Sequence, residues 1–275
     1  MLRSCCVFIL LCFSLPLGAS ERYCPDRPLL VGLFYYGHIY REDRTGIDHD
    51  LLQLLQNRTG CNLTAEVMPR ARTWYNLEQG LLDMTSTGIL TEERAKHSWF
   101  IPYMQLKNYL IVPASLPREQ RDAAGFIADT NLYFGAVRGF KHGEPLDKIL
   151  TVLAETQRVL YYPDAPTLFY ALKRGRIQAM FSQPPIYRYF LADELDQGLY
   201  QLLDWAPELT GTAHHLVLQR QTFSASQAEA WQQLIQQLMQ QGELSKIYHA
   251  YLAREEACQL ELAAGPKAAL CAKGQ

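Results

Sequence analysis

The chain has 275 residues, 48% hydrophobic and 20% charged, which suits a globular protein with room for two lobes of ordinary domain size. Its formal charge of −2 excludes a bulk electrostatic attraction to nucleic acid or to an anionic membrane, so any anion site must be local. Residues 1–20 read as a secretory signal peptide: Arg3 supplies the positive start, residues 5–17 the apolar core, and Gly18, Ala19 and Ser20 the small-residue cleavage region. The apolar run, interrupted by Ser14 and Pro16, is short for a membrane span. Leu10 and Leu11 before Cys12 do not suit a lipoprotein box, which needs small residues there. An exported, soluble chain is expected.

Removing that leader leaves four cysteines, Cys24, Cys61, Cys258 and Cys271. An even number in an oxidising compartment suggests two disulfides, with three possible pairings. Cys24 and Cys61 each stand just before an apolar strand, at one sheet edge of a right-handed strand–helix–strand unit. That favours Cys24–Cys61, with Cys258–Cys271 closing the tail. No Cys-x-x-Cys or paired Cys/His spacing is present, so no metal and no cofactor is expected.

The first strand is predicted over residues 29–35. Ile47, Leu51, Leu54, Leu55 and Arg58 then follow helical spacing up to Gly60. Residues 63–68 alternate as a strand, 73–79 form a short helix closed by Gly80, and Met84 opens a third strand. Another strand covers 109–112, followed by a polar stretch over 113–125. The second half repeats the alternation: strands at 133–137, 159–162 and 177–181, with helices from Pro145, after Asp164, and over 184–191. A returning strand at 216–218 precedes a helix over 226–241, whose Leu234, Ile235, Leu238 and Met239 form one apolar stripe. Strands alternating with helices argue for an α/β chain with mostly parallel sheets.

The stretch from Gly80 to Tyr103 carries most of the functional signal. It holds Gly80-Leu-Leu-Asp83, short polar residues at 84–87, Thr91-Glu-Glu-Arg94, and Phe100-Ile-Pro-Tyr103. Thr91 suits a helix N-cap, and Arg94 at the third helical position can reach back toward the strand end, making a receptor for a carboxylate or phosphate. The alternative is a surface arginine in a salt bridge. The run resembles the signature of bacterial solute-binding protein family 3, the periplasmic amino-acid-binding proteins of ABC transporters. Gly135-Ala-Val-Arg-Gly139, Leu172-Lys-Arg-Gly-Arg-Ile-Gln-Ala179 and Gly242-Glu-Leu-Ser-Lys-Ile-Tyr248 resemble later parts of that pattern in the right order, so the likeness runs from about residue 29 to 252.

This resemblance implies a two-lobed type II periplasmic-binding-protein-like fold in the periplasm. Lobe one would take 21–112 plus 210–275 and lobe two 113–209, hinged by two crossover strands. Because ligands sit beyond the carboxyl ends of strands in such sheets, the candidate binding residues are Tyr35, Tyr36, Arg72, Ser86, Thr87, Arg94, Lys141 and Gln183. Tyr35 and Tyr36 could sandwich a flat ligand group or simply pack in the core. Arg70 and Arg72 lie two apart, so at most one should face the cleft. Lys141 could clamp an anion or face solvent.

Two departures from the family pattern bear on the ligand. Gln183 stands where amino-acid binders place an acid for the α-ammonium, and Ile89 stands where they place a hydroxyl. A small polar carboxylate without dependence on an ammonium group is therefore expected. The seven histidines are scattered, and no Gly-x-Ser-x-Gly, His-Glu-x-x-His or phosphate-loop pattern occurs, so no catalysis is expected. The implied partners are the small-molecule ligand and an ABC permease, with the protein acting as a monomer. A ligand-sensing subunit for a membrane signalling protein and a dehydratase-like enzyme on the same fold are the alternatives.

Overall fold

The structure is a computed structural model that describes residues 23–262 and Cys271; the leader expected at 1–20 lies outside the described residues. Two five-stranded sheets dominate it. The first contains β1 (Leu29–Leu33), β2 (Leu63–Val67), β3 (Met84–Gly88), β4 (Ser98–Leu106) and, from much later in the chain, β10 (Thr212–Gln219). The second contains β5 (Tyr109–Pro113), β6 (Phe134–Val137), β7 (Val159–Tyr162), β8 (Ala179–Ser182) and β9 (Tyr200–Leu203). The spatial orders are β2-β1-β3-β10-β4 and β7-β6-β8-β5-β9. Each sheet with its helices is a lobe.

The expectation of mostly parallel sheets holds for strand direction, since in each sheet one strand, β10 or β5, runs against the other four. β1 pairs parallel with β2 and β3, and β6 with β7 and β8. β10 runs antiparallel to β3 and β4, and β5 antiparallel to β8 and β9. The antiparallel strands flank the places where the chain leaves one sheet and returns to it, so their directions follow from two opposite crossings. β5 already pairs in the second sheet, so the first crossing lies between Leu106 and Tyr109, ahead of the residue 112 boundary.

Local signals explain most helices. α1 (Ile47–Thr59) buries Ile47, Leu51, Leu52 and Leu55 and stops at Gly60, whose φ of 73° suits glycine. α2 (Arg70–Glu78) starts three residues earlier than predicted, right after Pro69. α3 (Glu92–Ala95) is a single turn capped by Thr91, which accepts from the Arg94 N–H. In the second lobe stand α4 (Ala123–Ala128), α5 (Glu144–Glu155), α6 (Ala165–Lys173) and α7 (Pro184–Asp196), with Asp164 capping α6 at 2.9 Å from the Thr167 N–H. α8 (Ala225–Gln240) opens with a Ser224–Gln227 capping box and buries Trp231, Leu234, Ile235 and Leu238. Its glutamine-rich sequence is thus an ordinary amphipathic helix. α9 (Glu243–Tyr251) and α10 (Arg254–Gln259) end the described helices before Cys271. None of the helices in the described residues is long and apolar enough to cross a membrane.

The two disulfides join Cys24 to Cys61 and Cys258 to Cys271, as predicted, with Cα separations of 6.0 and 5.5 Å. The first ties the entry of β1 to that of β2, where the Leu29 N–H also donates to the Asn62 carbonyl. Its sequence separation of 37 gives a chain-entropy stabilisation of about 4 kcal/mol. Replacing Cys24 and Cys61 together by serine should lower the unfolding free energy by roughly that amount in urea titrations. A loss under about 1 kcal/mol would show that the unfolded chain is not restrained by this loop.

Candidate functional site

The carboxyl end of β3 is gripped from two sides. Asp48, in the first turn of α1 and only 1% exposed, accepts hydrogen bonds from Ser86 Oγ at 2.5 Å, Thr87 Oγ1 at 2.8 Å and Tyr103 OH at 2.9 Å. From the other side the buried Arg70 guanidinium donates to Thr85 Oγ1 and to the carbonyls of Ser86 and Thr87. Between them Thr87 has φ 56°, a left-handed conformation that is uncommon for a β-branched residue. Its side chain and N–H both find partners there, the N–H reaching Tyr103 OH at 3.2 Å. Backbone strain of this kind, of order 1–3 kcal/mol, persists only where neighbours over-determine it.

Across this strand end the two lobes enclose a cavity lined by Phe34, Tyr36, Arg70, Thr87, Ile89 and Arg94, with His214 also on its wall. The second lobe contributes Gly139, Phe140, Lys141 and Gln183. The space open to the centre of a water-sized sphere is ≈ 20 Å³, room for about one water. The lobes are therefore shut on each other. Arg94 Nη2 donates to the Gly139 carbonyl at 2.8 Å, Tyr36 OH donates to Gln183 Oε1, and the His38 N–H donates to the Pro185 carbonyl at 2.9 Å. Two glycines permit this approach. A Cβ at Gly139 would stand 3.0 Å from Ala71 Cα, and one at Gly37 would stand 2.8 Å from Ile186 Cα.

No acidic residue lines this cavity, whereas Arg70, Arg94 and Lys141 do. The indole of Trp74 contacts both arginines, with guanidinium carbons 4.6 Å (Arg70) and 3.6 Å (Arg94) from its ring centre. Burial, with the neighbouring Arg94 charge, pulls Arg70 down to about 9, and burial pulls Arg94 down to about 10; both stay cationic at neutral pH. The other hydrogen bond of Arg94 goes to the Ile89 carbonyl at 2.9 Å, so its two acceptors are both uncharged backbone oxygens. The Gln183 amide is also engaged at both ends, its nitrogen donating to Asn108 Oδ1 at 2.6 Å.

Five of the sequence candidates meet at this cavity: Tyr36, Thr87, Arg94, Lys141 and Gln183. Three do not. Arg72 is exposed and outside the lining, while its neighbour Arg70 forms part of the floor. Tyr35 stacks on Tyr40 at 6.2 Å between ring centres, and Ser86 is buried against Asp48 behind the wall. Phe34, Phe140, Ile89 and His214 complete the lining, and Asp48 braces it from behind. For Asp48 the sequence offered only an acid in a helix's first turn, which reads equally well as a solvated residue.

Burial pushes the imidazoles of His214 and His142 down, to about 3 and about 4. Both are neutral at pH 7, with His214 Nδ1 2.9 Å from the Thr212 carbonyl. A histidine whose folded pKa lies below its unfolded value gives full stability above pH 6.5, lost progressively as pH falls toward the folded value. The raised carboxyls of Asp48 and Asp147 act in the opposite sense. At pH 5 each such imidazole should remove about 2 kcal/mol relative to neutral pH. Urea unfolding at pH 7.5 and pH 5 should therefore show a smaller acid loss for His214→Gln than for the wild type. Equal losses would refute a neutral, buried His214.

Comparison with known proteins agrees with this geometry. An ancestral arginine-binding protein bound to arginine superposes with a TM-score of 0.68 at 16% identity, covering 82% of this chain and 98% of that one. The substrate-binding protein AbpA of an amino acid ABC transporter from Streptococcus pneumoniae, bound to L-arginine, gives 0.67 at 22%, covering 84% and 95%. A histidine kinase sensor domain similar to periplasmic binding proteins gives 0.67 at 12%, covering 85% and 98%. At these identities the likeness establishes the fold, that of type II periplasmic binding proteins. No curated protein matches the sequence. The profile of the bacterial extracellular solute-binding proteins, family 3, matches residues 36–254, and the chain belongs to that family.

Proposed function

We propose that this protein captures a small carboxylate-bearing molecule between its lobes in the periplasm and hands it to an ABC permease, without chemical change. The observation that carries the reading is the lining itself: three cations and no acid around the inter-lobe cavity. Arg94 holds two carbonyl dipoles where a carboxylate would make charge-assisted, bidentate bonds of roughly twice the strength. Opening would release the Gly139 carbonyl and the Tyr36–Gln183 bond, and closure over the ligand would replace the first with the ligand's oxygens. We take the moving bodies to divide at the two chain crossings, near residues 107–108 and 204–211.

An α-ammonium group has no counter-charge in the lining. Gln183 is neutral and already committed to Tyr36 and Asn108, and Ile89 offers no hydroxyl. The same absence of a lining carboxylate, with His214 neutral, speaks against acid–base turnover.

A thermal-shift panel of small carboxylates, with and without an α-ammonium group, tests this. A ligand at 100 times its Kd should stabilise the fold by about 2.7 kcal/mol. Arg94→Ala should abolish the shift, a loss of about 2–5 kcal/mol in binding, and Arg94→Lys should restore part of it. Binding of free α-amino acids alone, or undiminished binding by Arg94→Ala, would overturn the proposal.

A further inference from the structure

A second cavity shares Arg94, Gly139 and Lys141 with the cleft but extends over α2, and it is much larger. The space open to the centre of a water-sized sphere is ≈ 360 Å³, within the range of small-molecule sites. Ala71, Trp74 and Leu77 of α2 form an apolar wall, and Arg138 and Lys141 face it from the second lobe.

We propose that this cavity is a second binding site, for a carboxylate carrying a compact apolar body. Charge supports the sign of the ligand. The lining holds the cations Arg94, Arg138 and Lys141 against the acids Glu78 and Glu93. Glu93 is already paired with Lys96 at 2.6 Å, and the same ammonium lies in the field of Glu78. The three cations on the wall thus outweigh the acids. Apolar area supports the body: the half-buried Ala71 and Trp74 border this open space, with the buried Leu77 behind them. The Trp74 ring already carries the Arg70 and Arg94 guanidiniums and stacks with Phe100, so a ligand packs beside the indole and not on it. The Trp74 N–H is itself buried with no acceptor among the described residues, a donor the closed packing leaves unfilled.

Because the wall belongs to one lobe and the facing cations to the other, the site is complete only when the lobes are closed. Its ligand binds the closed form preferentially and shifts the population toward it. Arg94, Gly139 and Lys141 border both cavities, but Arg138, Leu77 and His97 line only the larger one, so substitutions at Arg138 and His97 read this site apart from the cleft.

The probe is 3-phenylpropanoate, with 3-phenylpropan-1-ol as the uncharged control, followed by calorimetry and by NOEs to methyl-labelled protein. The acid should bind and the alcohol should not. Arg138→Glu should weaken binding at least tenfold, and His97→Trp, which fills the cavity, should abolish it. Both variants should keep the melting shift given by the small cleft carboxylate. Ring NOEs should reach the methyls of Leu77 and Ala71. No binding by the wild type, wild-type affinity in both variants, or NOEs to Ile89 and Thr87 in place of Leu77 would overturn the assignment. The last outcome would leave the cleft proposal standing.

Discussion

The guanidinium of Arg70 is the group on which the rest of the site depends. It is 3% exposed and touches no carboxylate. An unpaired buried charge is among the most unfavourable features a fold can carry, so its surroundings must supply the missing solvation. They do so with the two carbonyls and hydroxyl at the end of β3, the faces of Phe34 and Trp74, and the field of Asp48 across the strand. Because Asp48 and Arg70 both hold Ser86 and Thr87, one by their hydroxyls and the other by their carbonyls, the β3 end is locked and Thr87 is kept in its left-handed conformation. The floor of the cleft is thereby rigid before any ligand arrives.

Arg94 adds a second guanidinium over the ring of Trp74. Its charge is part of what lowers Arg70, so the two arginines repel while sharing one indole. Cation–π contacts and backbone carbonyls stabilise this pair without neutralising it. The result is a standing positive potential in a narrow space between the lobes, where the buried Arg70 is screened less than a surface charge. The anion site proposed above would need such a preorganised cation, and the cation is supported by residues outside the cavity lining, Asp48 and Trp74 among them.

Much of the fold is legible in local sequence. Gly60, Asp164 and the Ser224–Gln227 pair mark helix ends by chemistry that acts within a few residues. What local pattern misses is set by distance. β9 has four half-buried residues and no alternation, and it becomes a strand only by pairing with β5, ninety residues earlier in the chain. The single reversed strand of each sheet, β10 or β5, likewise depends on where the chain crosses between sheets. At the site, Arg70 and Arg72 differ by two positions, about 200° on a helix, so they take opposite sides once α2 begins at Arg70. Reading that stretch as a turn hid which one faces in. Tyr35 and Tyr36 are separated by the same kind of choice, decided by Gln183, which lies 147 positions away in the chain.

The closed form described here is held by the protein's own contacts, and that fixes what a ligand must do to be recognised. A molecule gains affinity only through what it offers beyond the bonds it displaces. The bond at stake is from Arg94 to the Gly139 carbonyl, a charged donor with a neutral acceptor. A neutral ligand oxygen would exchange like for like and gain little. A carboxylate exchanges a dipole for a full charge and can engage the guanidinium at two points. An added ammonium would enter the same narrow space with no acid in the lining to meet it, and its desolvation would oppose binding. Under the proposed function, selectivity in this cleft would follow from a difference between two acceptors of one arginine, with no acid in the lining to favour an added cation.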